Sequence, residues 1–188
     1  MVEFRKQGGG DIDNPEISLR AASARAQESG DNYCIEAVLS TEAPVLMFDR
    51  YDWEYMDEML LASGRSQLDH VVLLNSHNRW SVDDVLGHIE NIRTDKNGDT
   101  ICDCCFDQED EDALRIYKKY KNKHARAFSV GYTVLKFTDI PAGQSGVVDG
   151  KEYKAGPARK LRVVTKWRVD EGSVVAIGAD KKALSRSL

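Results

Sequence analysis

Alternation of apolar and polar residues runs through much of the chain and predicts short β-strands joined by turns. Ile17–Arg25 and Tyr33–Leu39 are short strand candidates on either side of the polar segment 29–32, which predicts a hairpin. Asp69–Asn75 instead contains a continuous apolar run. Such a run predicts a strand that is buried on both faces.

A second hairpin is predicted from Val85–Arg93 and Thr100–Phe106. These segments flank Asn97-Gly98, a pair suited to the positive φ angles of a tight turn. Further strand patterns follow at Ala125–Phe137 and at Leu161–Ile177, the latter expected to divide near Gly172.

Two segments have helical character. Gln108–Lys121 has acidic residues at its start and lysines at its end, which suits the helix dipole, and Asp107 is the expected cap. Its predicted apolar face consists of Leu114, Ile116, Tyr117, Tyr120 and Lys121. In Tyr51–Ala62, the spacing of Tyr55 and Met59, with Met56 and Leu60 as further candidates for the same side, predicts a second helix that ends before Gly64.

These elements predict a mainly β fold with helices (α+β), a small closed or nearly closed β-barrel surrounded by helices. The glycine- and proline-containing segment Ile140–Arg159 is expected to be a long surface loop. We expect a flexible segment at 1–15, one domain at 16–180 and a short tail at 181–188.

Composition narrows the classes of function. The 188 residues are 41% hydrophobic and 30% charged, as in an ordinary globular domain. The formal net charge of −5 argues against a nucleic-acid partner, which would require a basic surface. No apolar run approaches the roughly 20 residues that span a bilayer, so no membrane partner is expected, and the N-terminus carries no apolar secretion signal.

The four cysteines are expected to be free buried thiols, with no metal or disulfide role. Alternation places Cys102 and Cys104 on one face of a strand and Cys105 on the other, so these sulfurs cannot surround one ion. We therefore expect no metal and no cofactor.

Ser129 lies on a strand face that lacks bulky side chains. Period-two alternation separates two sets of residues: small Ala127, Ser129, Gly131 and Thr133, and bulky Phe128, Val130, Tyr132 and Val134. The bulky face suits a core and leaves the Ser129 hydroxyl accessible. A serine hydroxyl acts as a nucleophile only when a base accepts its proton.

His77 and Glu171 are the candidate partners. Among the four histidines, His77 follows the buried strand just past Asn75, where a strand would emerge into a groove. Glu171 continues the apolar face formed by residues such as Val169. A carboxylate there requires a partner, and a histidine that it orients would meet that need.

At these residues the chain resembles the prohead maturation proteases of tailed bacteriophages, distant relatives of the herpesvirus assembly protease. The resemblance extends in order from Val38 to Ser187, with Gly172 and Gly178 departing from the family pattern. The motifs that carry it are Val72-Leu-Leu-Asn-Ser-His77, Val85-Leu-Gly-His-Ile89, Phe128-Ser-Val-Gly-Tyr132, Trp167-Arg-Val-Asp-Glu-Gly-Ser173 and Val174-Val-Ala-Ile-Gly-Ala-Asp180.

The resemblance implies a serine endopeptidase with Ser129 as nucleophile, His77 as base and Glu171 orienting the histidine. It implies cleavage of phage scaffold and major capsid protein extensions, and of itself, inside the procapsid in the host bacterial cytoplasm. Backbone around Gly178, Ala179 and Asp180 is the expected source of oxyanion donors. The implied fold is a barrel like that of the herpesvirus assembly protease.

Two other functions are compatible with the sequence. The first is a catalytically silent β-barrel protein of capsid or tail assembly, in which Ser129→Ala would change nothing. The second is a cysteine hydrolase that uses Cys104 or Cys105 with His88.

Overall fold

A single nine-stranded, curled β-sheet dominates the computed structural model, which describes residues 17–28 and 33–177. A separate two-stranded sheet is formed by β9 and β10. The strands are β1 (Ile17–Glu28), β2 (Cys34–Ser40), β3 (Val45–Asp49), β4 (Glu54–Leu60), β5 (Arg65–Asn75), β6 (Val85–Thr94), β7 (Thr100–Phe106), β8 (Ala127–Ile140), β9 (Ser145–Val148), β10 (Lys151–Lys154) and β11 (Leu161–Val175).

The order of strands in the large sheet is β3-β4-β11-β5-β6-β7-β2-β1-β8. β11 also pairs with β8, antiparallel, while its pairings with β4 and β5 are parallel. These contacts curl the sheet and bring β5, β8 and β11 side by side. The candidate catalytic residues belong to these three strands or follow directly from them.

The core lies on the inner face of the curled sheet and is predominantly aliphatic and aromatic. Its largest fully buried side chains are Trp167, Tyr132 and Phe128. Phe128 and Tyr132 belong to the bulky face predicted for this strand, together with buried Val130 and Val134, so that prediction is confirmed. The small residues of β8, which include Ser129 and Gly131, form the opposite face of the strand.

One α-helix, α1 (Glu111–Lys121), is present among the described residues, together with 3₁₀ turns at Ala62–Gly64 and Val82–Asp84. The mainly β class is confirmed, but the described part of the chain has this single helix in place of a surrounding set. The helix buries Ala113, Ile116 and Tyr120 against the core.

The cap of α1 is Asp110, not Asp107 as predicted. The Asp110 carboxylate accepts hydrogen bonds from the backbone N–H groups of Asp112 and Ala113, at 2.8 and 3.4 Å. Asp107 instead accepts from the N–H of Glu109, one turn earlier. The acidic run before the helix therefore offers two cap residues, and the later one begins the helix.

The helix predicted at Tyr51–Ala62 is wrong, because most of this segment forms strand β4. Met56, Glu58 and Leu60 are buried at every second position. Tyr55 is 61% exposed, and Met59 is partly buried against the smaller cluster that includes Leu61 and Ile140, on the strand face opposite Met56 and Leu60. Pairing with β3 on one side and β11 on the other outweighs the local pattern.

The predicted loop at Ile140–Arg159 contains the β9–β10 hairpin. Its turn is Asp149-Gly150, with φ angles of 47° and 79°. Two successive positive φ angles are typical of a type I′ turn, for which Asp-Gly is a preferred pair. Val148 and Ala155 are buried in a second cluster with Ile140 and Leu161, so much of this segment is packed.

Strand β11 is continuous, in contrast to the predicted break near Gly172. A Cβ at Gly172 would lie 2.1 Å from Cδ1 of Ile89, so the glycine allows the core to pack closely against the strand. Irregularity in β11 lies elsewhere, in shifts of register with β8 between Val164 and Trp167 and between Val169 and Glu171.

Cys34 and Cys105 form a disulfide between the paired strands β2 and β7, which corrects the expectation that all four cysteines are free. Cys102 and Cys104 are buried free thiols on the other face of β7, with their sulfurs 3.6 Å apart. Alternation along the strand is as predicted. The disulfide arises because Cys34 lies directly across from Cys105, a pairing between distant segments that spacing within β7 does not reveal.

No helix in the described ranges is long and apolar enough to cross a membrane. The flexible segment expected at 1–15 and the tail expected at 181–188 lie outside the described residues.

Candidate active site

Ser129 is located in the middle of strand β8, in contact with β1 on one side and β11 on the other. Its cross-strand partner in β11 is Ser173, and its partner in β1 is Ala21. Only 3% of Ser129 is exposed. The hydroxyl is therefore held on a rigid strand with little contact with bulk water.

His77 reaches this strand through a turn at the end of β5. Ser76 and His77 both have left-handed backbone, with φ angles of 53° and 61°. The backbone N–H of Ser76 donates to the carbonyl of Val174, and that of His77 donates to Oγ of Ser173, at 2.9 and 3.1 Å. Left-handed backbone is uncommon for residues other than glycine, so the surrounding contacts must hold this turn.

The imidazole of His77 contacts both other candidate residues. Its Nε2 lies 2.7 Å from Oγ of Ser129, and its Nδ1 lies 2.7 Å from Oε1 of Glu171. The His77 side chain is 15% exposed. Sequence reasoning selected these three residues, and the structure brings all three together.

Glu171 reaches the histidine by a route that the sequence pattern did not predict. Strict alternation would continue the apolar face of Val169 to Glu171. In the structure, Val169 pairs with Tyr132 and Glu171 with Gly131, so two steps along β11 match one step along β8. This bulge moves Glu171 from the core face to the face of Ser129.

The Glu171 carboxylate is 3% exposed and has hydrogen-bond partners on both oxygens. Oε1 contacts Nδ1 of His77 and accepts from Nη2 of Arg79 at 3.0 Å, and Oε2 accepts from the Ser173 hydroxyl at 2.8 Å. Burial alone would raise the pKa of Glu171. The hydrogen bonds from His77, Ser173 and Arg79 outweigh burial and hold the pKa below its ordinary value. The carboxylate is therefore ionised at neutral pH.

Gly131 makes room for this carboxylate. A Cβ at position 131 would lie 2.1 Å from Oε1 of Glu171 and 2.3 Å from Nη2 of Arg79. The face of β8 that was predicted to carry small residues is therefore covered by Glu171 from β11 and by Arg79, which follows β5.

Arg79 and Ser173 are two polar residues of the site to which sequence reasoning assigned no role. Arg79 follows His77 by two residues, and Ser173 follows Glu171 by two. Ser173 is on the same face of β11 as Glu171, so the two-residue spacing could have predicted that Ser173 lies beside the carboxylate. Arg79 lies in the irregular turn after β5, where no periodic pattern predicts the direction of its side chain.

Gly178, Ala179 and Asp180, the expected oxyanion donors, lie outside the described residues. Their role stays a prediction.

The cysteine alternative loses its nucleophiles. Cys105 is bonded to Cys34, and burial raises the pKa of the Cys104 thiol well above its ordinary value. A thiolate is the reactive form of cysteine, so neither sulfur suits hydrolysis. Cys34, Cys105 and Glu90 also place possible ligand atoms within 4.8 Å of one another, but disulfide sulfurs are not the thiolates that metals bind.

The contacts run in order from the hydroxyl of Ser129, through both nitrogens of His77, to the carboxylate of Glu171. This order is that of a serine–histidine–acid triad, which can activate a hydroxyl for attack on an acyl group. No protein-family model, curated protein or solved structure matches the chain. The resemblance to prohead proteases therefore rests on the sequence motifs alone.

Proposed function

We propose that this protein is a serine hydrolase with Ser129 as nucleophile, His77 as general base and Glu171 as the residue that orients the histidine. The observation that carries the proposal is the pair of 2.7 Å contacts made by the two nitrogens of His77. In neutral His77, Nδ1–H would donate to Glu171, which leaves Nε2 to accept the Ser129 proton.

The proposed reaction proceeds through an acyl-enzyme. Oγ of Ser129 attacks the scissile carbonyl carbon while its proton passes to Nε2 of His77. The C–N bond then breaks, and the histidine delivers that proton to the leaving amine. A water molecule, deprotonated by the same histidine, hydrolyses the acyl-serine and restores the hydroxyl. Glu171 stabilises the imidazolium formed at both stages.

Within this class, we propose an endopeptidase of the prohead maturation type. The ordered sequence motifs support this assignment, as do the contacts among the residues that those motifs supply. A closed barrel of the herpesvirus assembly protease type belongs to the same proposal, and the β8–β11 pairing favours it. The proposed substrates are the phage scaffold, extensions of the capsid protein and the chain itself, inside the procapsid in the host cytoplasm.

A small fluorophosphonate tests the hydrolase proposal without a known substrate. We expect it to add covalently to Ser129 in the wild type and not to label Ser129→Ala. Peptide mapping by mass spectrometry identifies the modified residue. Ser40→Ala is a suitable control, because Ser40 is equally buried, on β2, and its hydroxyl donates to the carbonyl of Thr41.

Co-expression with scaffold and capsid protein tests the endopeptidase proposal. Wild type should trim these proteins, and Ser129→Ala should leave the precursors intact. If wild type and Ser129→Ala process these substrates equally, or both leave them intact, the catalytically silent assembly protein is favoured.

A further inference from the structure

An open cavity of about 320 Å³ borders the triad at Glu171 and is also lined by Arg79. Val72, Leu74 and Val85 provide its apolar wall, at the adjoining ends of β5 and β6. Its volume is near the lower end of the roughly 300–1,000 Å³ of small-molecule sites. The cavity is large enough for one large side chain.

Two large apolar residues at the rim of this cavity are exposed to solvent. Trp80 is 95% exposed and Val82 is 85% exposed. The segment that carries them is held by a hydrogen bond from Asn78 to Asp84 and by the Ser81 hydroxyl, which accepts from the N–H of Asp83 at 3.2 Å. Exposure of an indole on an ordered segment contributes little to folding, which favours a role in binding.

The charged groups that line the cavity already have partners. Arg79 pairs with Glu171 at 3.0 Å, and Asp170 pairs with Arg168 at 2.6 Å. A charged ligand group would lose water here without gaining an unpaired counter-charge. An apolar group would instead bury the exposed surface of Trp80 and Val82, so the chemistry of the lining favours an apolar occupant.

The position of the cavity relative to the nucleophile limits what the occupant can be. Glu171 is across from Gly131, which is two residues from Ser129 along β8. Two residues of extended chain span about 7 Å. A peptide whose scissile carbonyl lies at Ser129 therefore reaches the cavity with a side chain within about two residues of the cleaved bond.

We propose that this cavity is a substrate subsite, which selects an apolar side chain, aliphatic or aromatic, close to the scissile bond. Trp80 and Val82 are its specificity-determining residues. The inference rests on the proposed function, because it assigns substrate chemistry to the same site.

Digestion of a complex peptide library, with cleavage sites identified by mass spectrometry, tests the subsite. For wild type we expect enrichment of Leu, Ile, Val, Met or Phe at one position within two residues of the cut. Trp80→Ala should lower kcat/KM for peptides with that apolar residue by about tenfold, the scale of apolar-pocket discrimination. Val82→Asp should shift the preference at that position towards Lys and Arg, a change that simple loss of stability would not produce.

Trp53→Ala is the matched control, since Trp53 is 79% exposed on the turn between β3 and β4, outside the cavity. It should cleave the same sites as wild type. Ser129-dependent cleavage without apolar enrichment, or with enrichment that Trp80→Ala and Val82→Asp do not alter, would overturn the subsite and leave the proposed function standing. Absence of both fluorophosphonate labelling at Ser129 and Ser129-dependent cleavage would refute the proposed function and the subsite together.

Discussion

Ser173 is directly opposite Ser129 in the β8–β11 ladder, and its hydroxyl connects the two partners of the nucleophile. The hydroxyl donates to Oε2 of Glu171 at 2.8 Å and accepts from the backbone N–H of His77 at 3.1 Å. It therefore fixes both the carboxylate and the turn that carries the imidazole. Ser173 is a positioning residue, since its hydroxyl acts on the nucleophile through these two groups.

Ser173→Ala should reduce kcat by about 10- to 100-fold and leave KM nearly unchanged. The reason is the loss of a hydrogen bond to a charged group, worth about 1.5–3 kcal/mol, at about 1.4 kcal/mol per factor of ten in rate. Steady-state kinetics with a cleaved peptide would measure both constants. An unchanged kcat, with stability lowered by about as much as in Ser40→Ala, would show that Ser173 has only a structural role.

If the proposed hydrolase function holds, Gly131→Ala should lower the rate of hydrolysis by about 100-fold and change the free energy of unfolding proportionally less. The added methyl would displace the carboxylate of Glu171 and the guanidinium of Arg79, because it would lie within 2.3 Å of both. A displacement of 1 Å at a catalytic group can cost about 100-fold in rate. Initial rates and the unfolding midpoint should be compared in the same preparation.

Gly146→Ala is the control for that experiment. Its added methyl would lie 3.1 Å from Ile140, in the cluster under the β9–β10 hairpin and away from the triad. We expect a small change in stability and wild-type kcat. Wild-type kcat in Gly131→Ala would contradict the tight contact between Gly131 and Glu171.

Sequence patterns predicted the position of a candidate residue where that position depends on its own strand. Alternation separated Ser129 from the bulky face of β8, and the apolar run located His77 at the end of β5. Glu171 does contact His77, but it was selected for a wrong reason, because alternation assigned it to the core face. Bulges depend on how two distant strands align, so a single strand's pattern does not reveal them.

Three further differences have other causes. Asp149-Gly150 is a local hairpin signal, but the surrounding glycines and prolines suggested an irregular loop. For Tyr51–Ala62, the segment's own pattern was ambiguous, and pairing of β4 with β3 and β11 decided the outcome. The Cys34–Cys105 bond likewise depends on the β2–β7 register, which joins residues 71 positions apart.

Cys34→Ser should lower the free energy of unfolding by about 2–4 kcal/mol under oxidising conditions. The disulfide restricts the unfolded chain across a separation of 71 residues and contributes no group to the triad. Denaturant unfolding with and without reductant gives the difference. Alkylation of unfolded, unreduced wild type should modify two thiols, Cys102 and Cys104, and modification of all four would contradict the bond.

Replacement of Glu171 by Gln should alter both the rate and the pH dependence of stability. Loss of the charge that stabilises the imidazolium should lower kcat by about 10³- to 10⁴-fold. Because the pKa of Glu171 is lower in the folded state than in the unfolded chain, the ionised carboxylate stabilises the fold at neutral pH. That contribution is fully present above the unfolded value of about 4.3 and is lost as the pH falls through the lowered folded pKa.

The free energies of unfolding of wild type and Glu171→Gln should therefore differ most near pH 7 and converge as the pH falls from about 5. Urea unfolding at a series of pH values measures this difference. Glu152→Gln, at an exposed position on β10 in the separate two-stranded sheet, is the control for removal of a single carboxylate. A gap between wild type and Glu171→Gln that stays constant from pH 7 to pH 3 would show that the Glu171 pKa is not lowered by folding, and that the hydrogen bonds from His77, Ser173 and Arg79 do not favour the ionised form.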